Sequence, residues 1–277
     1  MDIAITTGIG IASLSFTAEY VDSSLGMGYG TTLTPVLLLL GFAPLEVVPA
    51  LLVSQLVAGL FSGFVHHTMG NVDLKPRSLR PSVIVKRLQQ LGFRESFRRG
   101  LPRGLQVALV ITVASVVGTV AAVLLAVNLP EQVLRIYVAA LVLAIGVVIL
   151  VTIKVHLAFS WPRIIGLGML AAFNKGISGG GYGPLVTGGQ VLSGVPVRET
   201  VGITAVAEAF TCAVGIAAYA FQPQAVWSLA PWLAGGALLS VPLTGITVRA
   251  LRPQWLRAGI GVITVVLGLA TVLVTVL

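Results

Sequence analysis

Hydrophobic residues fill most of this chain in long blocks that short polar segments separate. Six blocks reach the roughly 20 residues that a helix needs to cross a bilayer: 45–65, 105–127, 133–153, 197–221, 225–248 and 256–277. Two further apolar regions, about 3–40 and 164–192, are interrupted by glycine. The pattern predicts an all-α membrane protein with six full spans and two broken segments.

The interruptions are two glycine runs of the same form, Gly26-Met27-Gly28-Tyr29-Gly30 and Gly179-Gly180-Gly181-Tyr182-Gly183. They lie 153 positions apart and share four residues of five. Glycine disfavours helix, and membranes tolerate broken backbone only where protein buries it or solute reaches it. Matching breaks in two halves of a membrane protein indicate a transport site.

The composition supports this interpretation and excludes several others. The chain is 56% hydrophobic and 9% charged, with a mean hydropathy of +1.01, which does not fit a soluble domain. The N-terminus lacks the basic region of a signal peptide, so we expect it in the mature protein. A single cysteine, Cys212, leaves no internal disulfide and no cysteine-based metal site, and no cofactor is expected. No catalytic or nucleotide-binding motif indicates an enzyme.

The basic residues predict the topology. Nine of the 17 Lys and Arg residues lie between Lys75 and Arg103, which places the loop 74–104 in the cytoplasm. If each broken region is a re-entrant hairpin, six more fall on that side: Lys154, Arg163, Arg198, Arg249, Arg252 and Arg257. If each region crosses once, the last four move outside, so the charges favour hairpins. The pieces beside the glycine runs, about 12 to 18 residues each, are also short for a span.

The hairpin arrangement divides one transmembrane domain, 1–277, into two halves. Repeat one is 1–153 and inverted repeat two is 154–277, each a hairpin plus three spans, with both termini outside. The strongly basic balance is concentrated in one loop, so no nucleic-acid partner is expected. That loop predicts an amphipathic helix on anionic lipid, with apolar Val83, Ile84, Leu88 and Leu91 at helical spacing. The alternative is a loop that only sets topology.

Other polar residues at the span ends are less informative. His66, His67 and His156 could bind metal, but without an acidic or cysteine cluster we expect interfacial histidines. Gly59 and Gly63 form a pattern that favours close helix packing.

Four ionisable residues lie in or beside the broken segments or the helices that follow them: Glu19, Asp22, Lys175 and Glu208. The offset between the glycine runs places Asp22 opposite Lys175, and Gln55 opposite Glu208. A charge at the bilayer centre costs about 2.5 to 3.5 kcal/mol, so these groups must face a cavity or one another. Glu19, Asp22 and Glu208 are candidates for proton coupling, because burial favours the protonated carboxyl group. Alternatively, Lys175 pairs with Asp22 or Glu208 and holds the hairpins together.

A short helix is expected to begin after each glycine run, near Tyr29 and near Tyr182. Its free N–H groups and positive dipole end favour an anion, and Lys175 adds a full charge. The predicted substrate-binding residues are Ser23, Ser24, Gly26, Gly28, Tyr29, Gly30, Thr31, Gln55, Lys175, Ser178, Gly179, Gly180, Gly181, Tyr182 and Gly183, with Thr187 as a further hydroxyl. The tyrosines could instead pack against the neighbouring hairpin, and Gln55 could bridge helices.

Residues 19–35, EYVDSSLGMGYGTTLTP, and 173–184, FNKGISGGGYGP, resemble the two signature segments of the sulfite exporter TauE/SafE family. The likeness covers essentially the whole chain. It implies a bacterial inner-membrane secondary carrier for sulfite, thiosulfate, sulfonates or related organosulfur anions. Where many members carry an acidic residue near the second run, this chain has Asn174 and Lys175, which favours an asymmetric site.

Together these features predict alternating access around a midplane site at the two hairpin tips, coupled to protons or to the membrane potential. A passive anion channel, or a permease for another small anion or a metal ion, are the alternatives.

Overall fold

The computed structural model describes residues 4–78, 80–151, 160–192, 195–250 and the single positions 262, 265, 266, 269 and 273. These parts of the chain are helical and contain no strand, so the all-α class is confirmed. The helices are α1 Ile5–Leu25, α2 Tyr29–Leu39, α3 Pro44–Thr68, α4 Pro81–Gly100, α5 Arg103–Ala126, α6 Glu131–Val151, α7 Trp161–Ser178, α8 Tyr182–Leu192, α9 Val197–Ala220 and α10 Ala230–Ala250.

Four stretches are long and apolar enough to cross a membrane: Pro44–Thr68, Arg103–Ala126, Arg198–Ala220 and Ala230–Val248. Each coincides with one of the predicted spans. Helix α6 covers most of a fifth predicted span, 133–153. The sixth, 256–277, lies outside the described residues except for isolated positions.

The helices break at the glycine runs, as predicted. Helix α1 ends where Gly26 takes φ +70°, and α7 ends where Gly179 takes φ +72°. In each case the amide of the glycine donates to the carbonyl four residues earlier, of Asp22 or of Lys175. Helices α2 and α8 then begin at Tyr29 and Tyr182, and each spans 11 residues.

Helix α1 has 21 residues, so the prediction of a piece too short for a span is wrong here. The reason is its packing against α10 along most of its length. Gly8 lies against the Trp232 ring, and Gly236 lies against the Ala12 carbonyl. Near the other end the Tyr20 hydroxyl lies 2.8 Å from the Thr247 hydroxyl. These contacts advance together along both helices, so α1 and α10 run parallel.

Helix α3 runs in the same direction as α10. Near their N-terminal ends the Ser228 hydroxyl donates to Glu46 Oε1 over 2.8 Å, and near their C-terminal ends Gly245 contacts Val65. Helices α1, α3 and α10 therefore form one parallel group, which we call the first bundle. Its core contains Ile11, Leu51, Val65, Leu233 and Val241, among others.

Helices α5, α7 and α9 form an equivalent second bundle. Along α5 and α7, Ile111 contacts Gly168 and Ala122 contacts Gly176, so these helices are parallel. Along α5 and α9, Gly104 lies near Ile203, and the Thr119 side chain contacts Gly215. These two helices are parallel as well.

The two bundles meet where α3 packs against α9, and there the chain directions are opposite. Leu52 contacts Gly215, Gly59 contacts Ala209, Gly63 contacts Val206 and His66 contacts Gly202. Advancing along α3 thus means going back along α9. The close packing predicted for Gly59 and Gly63 is confirmed at this crossing.

Helix α4 occupies the basic loop and confirms the helical part of that prediction. It bends at Gly92, where φ is +70°. The predicted apolar residues Val83, Ile84, Leu88 and Leu91 are exposed. Contact with anionic lipid stays a prediction.

Candidate functional site

The two glycine runs contact each other, backbone against backbone, in the buried interior. A Cβ atom on Gly30 would overlap the Gly179 carbonyl group, and it would lie 2.7 Å from the carbonyl carbon. A Cβ atom on Gly183 would lie 2.5 Å from the Gly26 carbonyl oxygen. Since Gly183 is the counterpart of Gly30, and Gly179 of Gly26, the same contact is made twice. Only glycine permits this approach.

Two threonines reinforce this contact. The Thr34 hydroxyl donates to the Ser178 carbonyl over 2.9 Å, and the Thr187 hydroxyl donates to the Gly26 carbonyl over 2.6 Å. Thr34, on α2, thus reaches the end of α7, and Thr187, on α8, reaches the end of α1. Thr34 is absent from the predicted site. It could have been found from the sequence, because the offset between the glycine runs makes it the counterpart of Thr187.

Glu19 is buried and held by neutral donors. Its Oε1 accepts a hydrogen bond of 2.5 Å from the Ser23 hydroxyl, and its Oε2 accepts one of 2.5 Å from Gln55 Nε2. Gln55 lies on α3, so in this arrangement it bridges helices through an acidic residue.

Asp22 lies in the last turn of α1, and its side chain reaches the start of α2. Its Oδ1 accepts the backbone N–H of Tyr29 over 3.1 Å. An acidic side chain therefore occupies the helix end at which the sequence predicts an anion. A carboxyl group suits this position, because the free N–H groups and the dipole of a helix N-terminus attract negative charge.

Lys175 pairs with Glu208. The distance from Lys175 Nζ to Glu208 Oε1 is 2.7 Å, and Lys175 is only 1% exposed. Of the partners left open by the sequence, Glu208 rather than Asp22 is the one within salt-bridge distance. The pair links α7 to α9 inside the second bundle, and mutual neutralisation makes both charges tolerable in the interior.

The hydroxyl groups of the two tyrosines in the glycine runs are hydrogen-bonded to buried side chains. The Tyr29 hydroxyl lies 2.8 Å from the Ser15 hydroxyl and 2.5 Å from the Ser54 hydroxyl. The Tyr182 hydroxyl accepts a hydrogen bond from Thr211 over 3.2 Å. Both tyrosines are only 1% exposed. In this arrangement they therefore pack in the protein interior, which is the alternative to contact with a ligand.

The remaining predicted hydroxyls bond locally. Ser178 donates to the Asn174 carbonyl over 2.7 Å, and its Oγ accepts the Gly180 N–H over 3.1 Å. Thr31 donates to the Gly28 carbonyl over 3.2 Å. The Ser24 hydroxyl has no hydrogen-bond partner within the described chain.

All predicted site residues are buried, which makes the site closed in this arrangement. The described cavities lie elsewhere, beside α4. One of about 360 Å³ is lined by Phe93, Phe97, Leu109, Val110, Val113, Ala114 and Ile165.

His66 lies in the last turn of α3, at the end of a candidate span, but its side chain is buried, with 0% exposed. Its Nε2 lies 2.8 Å from the Ser23 carbonyl and its Nδ1 lies 3.0 Å from Asn71 Nδ2. The ring is buried because it satisfies a carbonyl at the open end of α1. His67 is partly buried and contacts the Val72 carbonyl at 3.2 Å, and His156 lies outside the described residues. Among the described residues, no group of three His, Cys, Asp or Glu side chains could hold a metal ion.

The chain is similar to known membrane transporters. Residues 11–85 and 91–271 match the family model described as Sulfite exporter TauE/SafE. The chain is also similar to the "Probable membrane transporter protein YtnM" of Bacillus subtilis (strain 168), with 25% identity over 267 residues, which is 90% of this chain and 77% of the relative. No solved structure matches. Since the family match covers nearly the whole sequence, this all-helical membrane protein belongs to the sulfite exporter TauE/SafE family.

Proposed function

We propose that the protein is a secondary transporter of small sulfur-containing anions: sulfite, thiosulfate, sulfonates or related organosulfur anions. Membership of the TauE/SafE family supports a membrane transporter. The observation that carries the anion proposal is the buried Lys175 in the last turn of α7, just before the second glycine run. A buried ammonium group beside broken helix ends is suited to a small oxyanion.

The chain directions support two re-entrant hairpins. Helices α1 and α3 run in the same direction, and only α2 lies between them. If α1 and α2 crossed the membrane once together, α3 would run opposite to α1. A returning α2 accounts for the observed direction.

The opposite directions of α3 and α9 support an inverted second half. These helices begin at Pro44 and Val197, which are separated by the same offset as the two glycine runs, and they occupy matching places in the two bundles. Alternating access then follows from exchanging the conformations of two structurally similar halves around a fixed site.

Partner exchange is the proposed mechanism of binding. An arriving oxyanion replaces Glu208 beside Lys175, and the α2 N-terminus is a second binding group once Asp22 withdraws. Because an uncompensated buried charge is costly, each displaced carboxylate takes up a proton. Anion movement is thereby coupled to protons, or to the membrane potential when the charges do not cancel.

The test is uptake of sulfite and sulfonates into proteoliposomes. We expect Lys175→Ala and Gly181→Leu to lower the initial rate at least tenfold. The first removes the cation, and the second forces a branched residue into φ +79°. Lys86→Ala, on the exposed face of α4, is the matched control and should keep the wild-type rate.

Normal transport of these anions by both Lys175→Ala and Gly181→Leu would show that the site lies elsewhere. Wild-type flux that neither saturates nor responds to a pH or voltage gradient would instead indicate a passive anion channel.

A further inference from the structure

A chain of buried polar groups extends from the first glycine run into the second bundle. The Thr187 hydroxyl donates to the Gly26 carbonyl over 2.6 Å and lies 2.8 Å from the Thr204 hydroxyl. Gln190 Nε2 donates to the Thr204 oxygen over 2.9 Å. The three side chains are at most 1% exposed.

The end of this chain is unsatisfied. Gln190 Oε1 is buried and has no hydrogen-bond partner among the described residues. A buried amide oxygen without a hydrogen-bond partner lowers the stability of the folded protein. A bound ligand that contacts this oxygen would remove that cost.

The other half shows which of these polar groups the fold needs. At the offset that relates the glycine runs, Thr187 corresponds to Thr34, Thr204 to Leu51 and Gln190 to Leu37. Thr34 makes the equivalent cross-hairpin hydrogen bond, whereas Leu37 and Leu51 are buried core residues. The first half thus forms the equivalent contact with one threonine and two leucines. The fold therefore does not require the polar side chains of Thr204 and Gln190.

The donor set suits a monovalent cation. The groups are neutral oxygens: a backbone carbonyl, two hydroxyls and the Gln190 carboxamide, whose oxygen and nitrogen exchange places by a half-turn. The Gly26 carbonyl lies at the C-terminal end of α1, where the helix dipole is negative. Divalent cations prefer carboxylate ligands, which this group lacks. Unwound carbonyls and half-helix C-termini are general sodium ligands in transporters with broken helices.

We propose that the Gly26 carbonyl, Thr187, Thr204 and Gln190 form a sodium site beside the anion site. Gly26 belongs to the first hairpin and the three side chains to the second half, so a bound ion links the two. Sodium occupancy therefore stabilises the closed contact between the glycine runs. The binding claim stands alone, whereas the claim that sodium is a coupling ion rests on the proposed transport function.

Binding is tested on purified full-length protein without any sulfur anion. Thermal unfolding is followed in NaCl, KCl and choline chloride at equal ionic strength. We expect sodium to raise the Tm in a saturable manner relative to choline, because a ligand of the folded state stabilises it by mass action. Binding of radioactive sodium to the wild-type protein gives the same answer without any substitution.

The test variants replace Gln190 and Thr204 by leucine, the residue at the corresponding positions of the first half. Gln190→Leu and Thr204→Leu should abolish the sodium-dependent increase in Tm, while Thr34→Val, the matched control, should keep it despite a lower overall Tm. Equal Tm values in sodium and choline, together with no radioactive sodium bound, would overturn the site. A sodium effect retained in both leucine variants would overturn its location.

Coupling is tested by anion uptake with an inward sodium gradient against choline. We expect at least a fivefold stimulation that Gln190→Leu removes. Equal uptake in both salts would refute sodium coupling while leaving the anion transporter intact. Failure to transport any sulfur anion would refute the proposed function, and the Tm comparison would still decide the sodium site.

Discussion

Asp22 and Lys175 occupy matching positions in the two halves but carry opposite charges, and each has a different partner. Asp22 accepts from the α2 backbone, whereas Lys175 pairs with Glu208. The sequence alone identifies such residues because charges are rare in apolar helices. It could not choose the partner of Lys175, since Asp22 and Glu208 both lie on segments predicted to meet it.

Removing one member of the buried pair should be more harmful than removing both. We expect Lys175→Met to destabilise the protein by about 3 to 5 kcal/mol, because Glu208 is left buried without its partner. The double variant Lys175→Met, Glu208→Gln should regain more than half of that loss. Reversible unfolding in detergent measures both.

The exposed pair Arg99 and Glu95, whose nitrogen and oxygen also lie 2.7 Å apart, is the control. There Arg99→Ala should cost less than about 1 kcal/mol, because solvent screens the interaction. Additive effects of the two buried substitutions would mean that Lys175 and Glu208 do not stabilise each other.

The contact between the glycine runs gives a second prediction at this scale. Gly30→Ala should lower the Tm and abolish uptake, since its methyl group would overlap the Gly179 carbonyl. Gly10→Ala, in the exposed face of α1 with nothing within 4 Å, is the same substitution without the overlap and should be neutral. If both variants behave alike, the contact does not control activity.

Among the helices, the starts of α2 and α8 could be predicted and the length of α1 could not. The glycine runs fix both starts locally, since φ values near +70° at Gly26 and Gly179 end the preceding helix. The extent of α1 depends on Trp232 and Gly236 of α10, which lie near the other end of the sequence. The burial of His66 could not be predicted for a similar reason, because its partner, the Ser23 carbonyl, lies on another helix.

The loops at opposite ends of the bundles should lie on opposite sides of the membrane. The amide of Val226 donates to the Leu45 carbonyl over 3.1 Å, so the loop after α9 lies at the N-terminal end of α3. Helix α4 follows the C-terminal end of α3. We expect Gln90→Cys to be labelled only from the cytoplasm and Gln224→Cys only from outside, in a Cys212→Ser background.

A membrane-impermeant maleimide applied to right-side-out and inverted vesicles makes this measurement. The Cys212→Ser protein without an added cysteine is the blank. Labelling of both positions from one side would refute the predicted hairpin topology, and labelling of Gln90→Cys only from outside would reverse its orientation.

Each bundle of the molecule contains two helices from one half of the sequence and one helix from the other half. The first bundle combines α1 and α3 with α10 from the second half, and the second combines α7 and α9 with α5 from the first. A sequence repeat indicates that two halves are alike, but it does not say which helices pack together, because that depends on distant side-chain contacts.

Neither half should therefore be stable alone. We expect fragments 1–153 and 154–277 to aggregate or be degraded when expressed separately, and to copurify through a tag on one fragment when expressed together. Each fragment lacks the helix, supplied by the other fragment, that buries its own apolar faces. A monodisperse fragment 1–153 that unfolds cooperatively would show that the halves fold independently.

The reciprocal backbone contact of the glycine runs has a consequence for leakage. Each run excludes water from the other, so in the proposed cycle a hairpin that moves away to admit solute from one face leaves its partner in place. A continuous water path across the bilayer would require both to withdraw at the same moment. Such a transporter can remain in an energised membrane between turnovers without dissipating the proton gradient of the cell.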